Sequence, residues 1–207
     1  MSEPVTGPDP ELSAWTDPSS TYNAVANSYA TQFLDELDDK PFDRDLLQRF
    51  ARSVAPLASA STPVCDVGCG PGHVGAYVAS LGLPAMGIDL SAGMVEVASV
   101  SFPGMEFRQG DMTALHRTQV PLALSEMNRV LIGDGELVLA VHGGEGSLHA
   151  DVMAGQPADF DATLFGLGEL SAFVTEAGFE VVEAHERVPY PREHPTPRLY
   201  VWARRLP

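Results

Sequence analysis

The stretch from Val64 to Val74, Val-Cys-Asp-Val-Gly-Cys-Gly-Pro-Gly-His-Val, constrains the fold more than any other part of the chain. Val64, Cys65 and Val67 form an apolar, β-favouring run just after Pro63, which predicts a strand. Gly68, Gly70 and Gly72 then remove three side chains from five positions. That costs backbone entropy, so it marks a place where positive φ is needed or where something approaches the backbone closely. Val74, Tyr77, Val78 and Leu81 follow at helical spacing, with Gly82 placed to stop the helix. Strand, glycine turn, helix is the entry to a nucleotide-type cofactor crevice in a parallel α/β sheet.

The rest of the chain supplies the other layers. Tyr22, Val25, Ala26, Tyr29, Ala30, Phe33, Leu34 and Leu37 predict an amphipathic helix over 21–37, and a second helix runs from Pro41 to Val54, ended by Pro56. These two form an N-terminal helical cap (20–58) that can lie over the strand ends, with Tyr22 and Tyr29 either as core aromatics or as a hydroxyl-bearing lid on the ligand. Strands are predicted at 84–89 and 105–108, a helix with Met94, Val95 and Ala98 between them, a helix over 119–131 and a strand over 136–142. Residues 143–167 read as a long loop, followed by a helix over 169–177. The last two strands, 179–189 and 198–205, have no helix between them and should pair antiparallel. The fold class is therefore α/β, a three-layer αβα sandwich. Residues 1–19 read as a flexible tail and 20–207 as one domain.

Charge narrows the ligand. The 207 residues carry 12 basic and 28 acidic side chains, a formal charge of -16. With no basic stripe to offset it, such a surface repels phosphates, which argues against nucleic acid and for a neutral or cationic small molecule. No membrane-length apolar run or secretory signal is visible, so the expected location is cytoplasmic. Cys65 and Cys69 read as free thiols, one buried and one in a loop, and no His/Cys cluster has metal-ligand spacing. Oligomeric state is not legible.

Asp66, Asp89 and Asp111 fall at strand ends or just beyond them, where an open α/β sheet holds its ligand. Asp89 can accept from both hydroxyls of a ribose, and Asp111 from an adenine amino group with Met112 packed on the ring. Asp66 can meet a positive charge. A dinucleotide site is the competitor, but it wants a third glycine where His73 stands, Pro71 removes an N–H, and Asp66 would face phosphate. A cationic adenosyl ligand without phosphates fits better, and S-adenosylmethionine is such a ligand.

Asp66-Val67-Gly68-Cys69-Gly70-Pro71-Gly72 resembles motif I of the class I S-adenosylmethionine-dependent methyltransferases. Gly87-Ile88-Asp89-Leu90-Ser91, with Met94, resembles the family's ribose acid and adenine-flanking segment, and Gly110-Asp111-Met112 its adenine contact. The resemblance implies a Rossmann-like seven-stranded sheet with the last strand inserted antiparallel. It implies methyl transfer from S-adenosylmethionine, with S-adenosylhomocysteine as product and a small-molecule acceptor. It also implies cofactor contacts at Asp66, Gly68, Gly70, Asp89, Leu90, Met94, Asp111 and Met112. One departure stands out. Family members carry an acidic loop and a fourth strand before the helix that precedes their fifth strand. Here Leu115 leads through His116 and Pro121 straight into that helix, about 20 residues short of an αβ unit. The central fourth strand is therefore expected to be missing from this sequence: either the working protein has residues that this sequence lacks, which is the favoured reading, or the sheet has re-paired, or the chain is a defective member. A catalytic base is not identified: His116, His142, His149 and Tyr190 are conceivable, each with a structural alternative. A cofactor-binding protein without turnover and an NAD-dependent oxidoreductase stay open as alternatives.

Overall fold

The computed structural model describes residues 18–111 and 119–207. Helix α1 (Pro18–Phe33) is followed by a 3-10 turn at Glu36–Asp39 and by α2 (Pro41–Val54). The helix expected over 21–37 is thus shorter. Pro41 disfavours helical geometry at Lys40, which sits at φ -119° and ψ 73°, so the chain turns before α2 begins. Leu37 stays buried within that turn.

The glycine stretch folds as the sequence predicts. β1 (Val64–Val67) leads through the turn into α3 (His73–Ser80), then β2 (Ala85–Asp89), α4 (Ala92–Ser101) and β3 (Glu106–Gln109). The three strands pair in parallel in the order β1-β2-β3. After residue 119 come α5 (Val120–Val130) and β4 (Glu136–His142). The expected loop over 143–167 is instead largely a hairpin, β5 (Ser147–Met153) and β6 (Gln156–Thr163). Its turn places Ala154 at φ 49° and Gly155 at φ 73°, the positive-φ pair that a tight hairpin needs. An alanine there, with a bulge at Ala150/Val152, hid the signal from a search for Asn-Gly or Asp-Gly. The chain ends with α6 (Leu167–Glu176), β7 (Phe179–Arg187) and β8 (Arg198–Arg205), and β7 and β8 pair antiparallel as expected.

β8 explains how the C-terminal half is built. Leu199, Val201 and Ala203 pack with Val120 and Leu124 of α5, Leu170 and Val174 of α6, and Phe179. The alternate residues Tyr200 and Trp202 pack on the other face with Leu46, Phe50 and Val54 of α2 and Val78 of α3. Period-two alternation on a strand buried on both faces gives helix, sheet, helix here. β4 joins this sheet antiparallel to β8, in the order β4-β8-β7.

Among the described residues β1 pairs only with β2 and β4 only with β8, so each has one edge without a partner strand. One face of β1 is also exposed. Val64 packs in the α2/α3 core and Asp66 meets α3, whereas Cys65 and Val67 face the other way and are exposed. Parallel sheets are normally covered on both faces. The two thiols consequently swap their expected places. Cys65 in the strand is exposed, and Cys69 in the turn is 3% exposed with its thiol pushed well up by burial and by Asp66. A maleimide should therefore modify one thiol per native chain, at Cys65, and a second only after denaturation. Mass spectrometry of the labelled protein checks this, and native labelling at Cys69 contradicts it.

Candidate functional site

Asp89 organises the glycine turn. It ends β2, is 9% exposed, and takes the Gly70 N–H on Oδ2 and the Ser91 N–H on Oδ1, both at 2.8 Å. The Gly68 and Cys69 N–H groups donate to the Ile88 carbonyl at 2.8 and 3.1 Å. The turn is thereby fixed to β2 from both sides. Gly70 sits at φ 52°, and a Cβ built there would meet nothing within 4 Å, so the backbone is open to a ligand at that point. Gly72 is the opposite case: at φ 88°, an added Cβ would come within 2.7 Å of Phe107. One glycine leaves room for a ligand and the other for the protein's own core.

Asp66 ends its exchange with the backbone at α3, where its Oδ2 accepts from Gly75 N at 2.9 Å. Burial pushes its carboxyl up, opposed by the Gly75 N–H and by nearby His73. The end of β3 comes beside Asp89 through Gly110 N–H donating to the Asp89 carbonyl at 2.9 Å, which carries the exposed Asp111 to the same end of the sheet. Leu90 is half-buried and its carbonyl accepts from Gln109. Met112 and His116 lie outside the described residues. Gly68 lies in the turn between β1 and Gly70.

Helix α1 docks on this end of the sheet. Met94, 1% exposed, is packed with Val25 and Ala26 and flanked by Tyr22, Tyr29 and Met153. Tyr22 and Tyr29 meet edge to face at 6.2 Å. Burial, with Asp89 adding to it, pushes Tyr22 up to about 12, and burial likewise raises Tyr29. Both hydroxyls therefore stay protonated. The hairpin covers α1 from outside, with Phe160 against Tyr22 at 5.4 Å and Thr21 Oγ1 donating to the Asp159 carbonyl.

Two residues of this region escaped sequence reading. Asn23 Oδ1 accepts from Ser91 Oγ at 2.7 Å and from Gly93 N at 2.8 Å, tying α1 to the start of α4. Ser91 in turn accepts from Met94 N as the helix cap, so Asn23, Ser91, Asp89 and Gly70 form one chain of hydrogen bonds. Glu36 Oε1 lies 2.9 Å from His73 Nε2, which joins the 3-10 turn to the start of α3. Neither pairing has a sequence signal, since each links positions far apart in the chain.

Of the groups considered as bases, His149, Tyr190 and His142 lie elsewhere. His149 sits on the exposed face of the hairpin between Asp161 and Asp151. Tyr190 accepts from the Phe42 N–H. His142, at the end of β4, meets Thr196 and Arg198. Burial, then Arg198 and His194, push His142 down to about 4. The unfolded chain binds its proton at higher pH than the fold does, so this site's contribution to stability is present above pH 6.5 and is lost as pH falls toward 4. A His142→Gln variant should show a shallower loss of melting temperature between pH 6.5 and 4.5 than the parent. Parallel pH–melting curves contradict the assignment.

The residues gathered here fit a cationic adenosyl ligand. Each Asp89 oxygen accepts one N–H and keeps a further acceptor position for a hydroxyl. Space lies open over Gly70, and Asp66, Asp89 and Glu36 are all acids. Among the described residues no group of three or more His, Cys, Asp or Glu could hold a metal ion, and no helix is long and apolar enough to cross a membrane.

Residues 64–135 match the family described as "Methyltransferase domain". No curated protein sequence matches the chain. The CcbJ methyltransferase from Streptomyces caelestis superposes with a TM-score of 0.63 at 17% identity, covering 92% of this chain and 100% of that one. An S-adenosylmethionine-dependent methyltransferase from Methanosarcina mazei gives 0.61 at 18% identity over 69% of this chain and 92% of its own. The 1,6-didemethyltoxoflavin-N1-methyltransferase of Burkholderia thailandensis, solved with its acceptor and S-adenosylhomocysteine, gives 0.54 at 19% identity over 93% and 92%. The matched segment holds the whole glycine turn and all three strand-end acids. Residues 64–135 thus resemble a methyltransferase domain, and the chain shares the fold of the methyltransferases it superposes on.

Proposed function

We propose that the chain binds S-adenosylmethionine over the glycine turn and transfers its methyl group to a small-molecule acceptor by direct in-line displacement. The observation that carries this is Asp89, a buried acid that braces Gly70 N and Ser91 N with open space over Gly70. The cofactor would supply a methyl group on a sulfonium, leaving as a neutral thioether. Asp89 holds the ribose hydroxyls in this reading, with Leu90 and Met94 flanking the adenine and Asp111 and Met112 at its amino edge. Asp66, Gly68 and Gly70 line the cationic end, and α1 with Tyr22 and Tyr29 keeps water out. Alignment and desolvation then do most of the catalysis, and a base is required only for a protonated nucleophile. The 1,6-didemethyltoxoflavin bound by the Burkholderia thailandensis enzyme is a small molecule, which supports that acceptor class here. Residues 20–207 act as one domain, with 20–58 contributing the cap. Label transfer from methyl-tritiated S-adenosylmethionine to any member of a panel of small amines, phenols and alcohols supports the reading. Tight cofactor binding with no transfer anywhere favours the second reading, binding without turnover.

That second reading rests on a specific observation: among the described residues β1 and β4 each have one edge without a partner strand, and Cys65 and Val67 on one face of β1 are exposed. We infer that a strand belongs between β1 and β4, and that the working protein has residues there that this sequence lacks. Protein expressed from the native gene should exceed the 22.1 kDa of this chain, and a mass equal to it overturns that inference.

A further inference from the structure

His142 ends β4, and its imidazole is held on one side and free on the other. Nδ1 lies 3.0 Å from Arg198 Nη1 and 2.6 Å from Thr196 Oγ1. A guanidinium only donates, so Nδ1 accepts, and in the neutral ring the hydrogen sits on Nε2. Arg198 Nη1 also donates to the Thr196 carbonyl at 2.9 Å and hydroxyl at 2.8 Å, which keeps the ring from turning over. Among the described residues Nε2 has no hydrogen-bond partner. The side-chain atoms there that are sealed from solvent without a partner are His73 Nδ1 and Arg187 Nε, so the Nε2–H of His142 is open to solvent. The ring stays neutral near pH 7. Burial, then Arg198 and His194, with Lys40 beyond them, push it down to about 4 against the opposing charge of Glu193. In this tautomer the open edge offers a donor and no lone pair, so it cannot take up a proton there.

A continuous run of contacts joins this ring to the glycine turn. His73, at the start of α3, meets Glu36 at 2.9 Å, and Lys40 bridges Glu36 and Glu193 at 2.8 and 3.0 Å. Glu193 Oε1 lies 3.8 Å from Arg198 Nε, which completes the path to His142. Tyr29 of α1 is within electrostatic reach of Glu36 and Asp89, and also of Arg198. The end of β4 is therefore a neighbour, through Tyr29, of the acids around the turn. A polar group that the fold fixes in one orientation and leaves unpaired at an open edge is suited to a ligand. Its chemistry names the partner. An N–H donor takes an oxygen lone pair and repels an ammonium, and the Arg198 cation behind the ring adds to that repulsion.

Resting on the methyl-transfer reading above, we propose that the His142 Nε2–H holds a carbonyl, ether or hydroxyl oxygen of the acceptor molecule, and so selects the acceptor as a donor and not as the base. Arg198 and Thr196 are the positioning residues behind it. Two probes of similar size make the comparison: cyclohexanone, whose oxygen only accepts, and cyclohexylammonium, which only donates. Each is titrated at pH 7 into the parent chain labelled with nitrogen-15 histidine and saturated with S-adenosylhomocysteine. The His142 ring, assigned through its backbone, should carry its hydrogen on Nε2, and that resonance should shift saturably with cyclohexanone and not with cyclohexylammonium. A hydrogen on Nδ1, an equal shift with both probes, or no shift with cyclohexanone overturns the proposal, and none of these needs a variant. His142→Phe keeps a ring and loses the N–H. It should weaken cyclohexanone about 2- to 10-fold, as for one ordinary hydrogen bond, and leave S-adenosylhomocysteine within about twofold. A parallel loss of both ligands marks a merely structural role and overturns the proposal. A parent chain that does not bind S-adenosylhomocysteine refutes the methyl-transfer reading, and this inference with it, whereas cofactor binding with an unmoved His142 refutes this inference alone.

Discussion

Asp89→Ala should weaken S-adenosylhomocysteine binding by at least about 100-fold and destabilise the fold by about 2–4 kcal/mol. The two effects have separate origins. The structural loss comes from the Gly70 and Ser91 N–H groups, which both donate to this carboxylate at 2.8 Å and would be left unpaired beside a 1% exposed serine. The binding loss adds the ligand hydroxyls, each a hydrogen bond to a charged group worth about 1.5–3 kcal/mol. Asp89→Asn distinguishes them. It keeps one acceptor oxygen but turns an NH2 toward the other N–H, so it should retain more stability than alanine while still losing most of the affinity. Calorimetry and urea unfolding measure the two quantities. Unchanged affinity in the alanine variant would show that the ligand does not use this acid.

Glu193→Ala should be the most destabilising single change outside the apolar core, by about 3–5 kcal/mol. Glu193 accepts from Arg187 on both oxygens, at 2.6 and 2.9 Å, and from Tyr190 N at 2.7 Å, and it pairs with Lys40 at 3.0 Å. Arg187 is 11% exposed, so removing the carboxylate leaves a largely buried cation with Asp43, at 2.9 Å, as its remaining acid partner. This hub ties the connection between β7 and β8 to the 3-10 turn, and through Lys40 and Glu36 to His73. Burial raises the Glu193 carboxyl, but Arg187, the Tyr190 N–H and Lys40 outweigh it and hold it at about 2. Its contribution is therefore complete above the ordinary value of 4.5 and is lost as pH falls from there toward 2. The parent should lose melting temperature steeply over that window and Glu193→Ala much less. Equal acid sensitivity in the two would contradict this.

The glycine turn and the acid that braces it were legible because their geometry is local. Gly68 to Gly72 and Asp89 lie on consecutive strand ends, and a short motif predicts where a short turn will sit. Long-range pairings were not legible. Asn23 looks like any polar residue on a solvent-facing helix side, yet it bridges 70 positions to Gly93. Glu36 looks like a solvated acid, yet it meets His73 Nε2 at 2.9 Å across 37 positions. The hairpin over α1 was missed because its strands alternate weakly and its turn uses Ala154 where asparagine or aspartate is usual. The same distinction holds for the shortfall after Leu115. Spacing leads one to expect that a strand is wanting; the sheet shows two unpartnered edges among the described residues and an exposed Val67.

The central claim is that the turn braced by Asp89 is built for a cationic adenosyl ligand and not for a dinucleotide. Calorimetric titration of the same preparation with S-adenosylmethionine, S-adenosylhomocysteine and NAD tests it directly. The account predicts saturable one-to-one binding of both adenosyl ligands and none of NAD. Binding of NAD with no heat from either adenosyl ligand would contradict it.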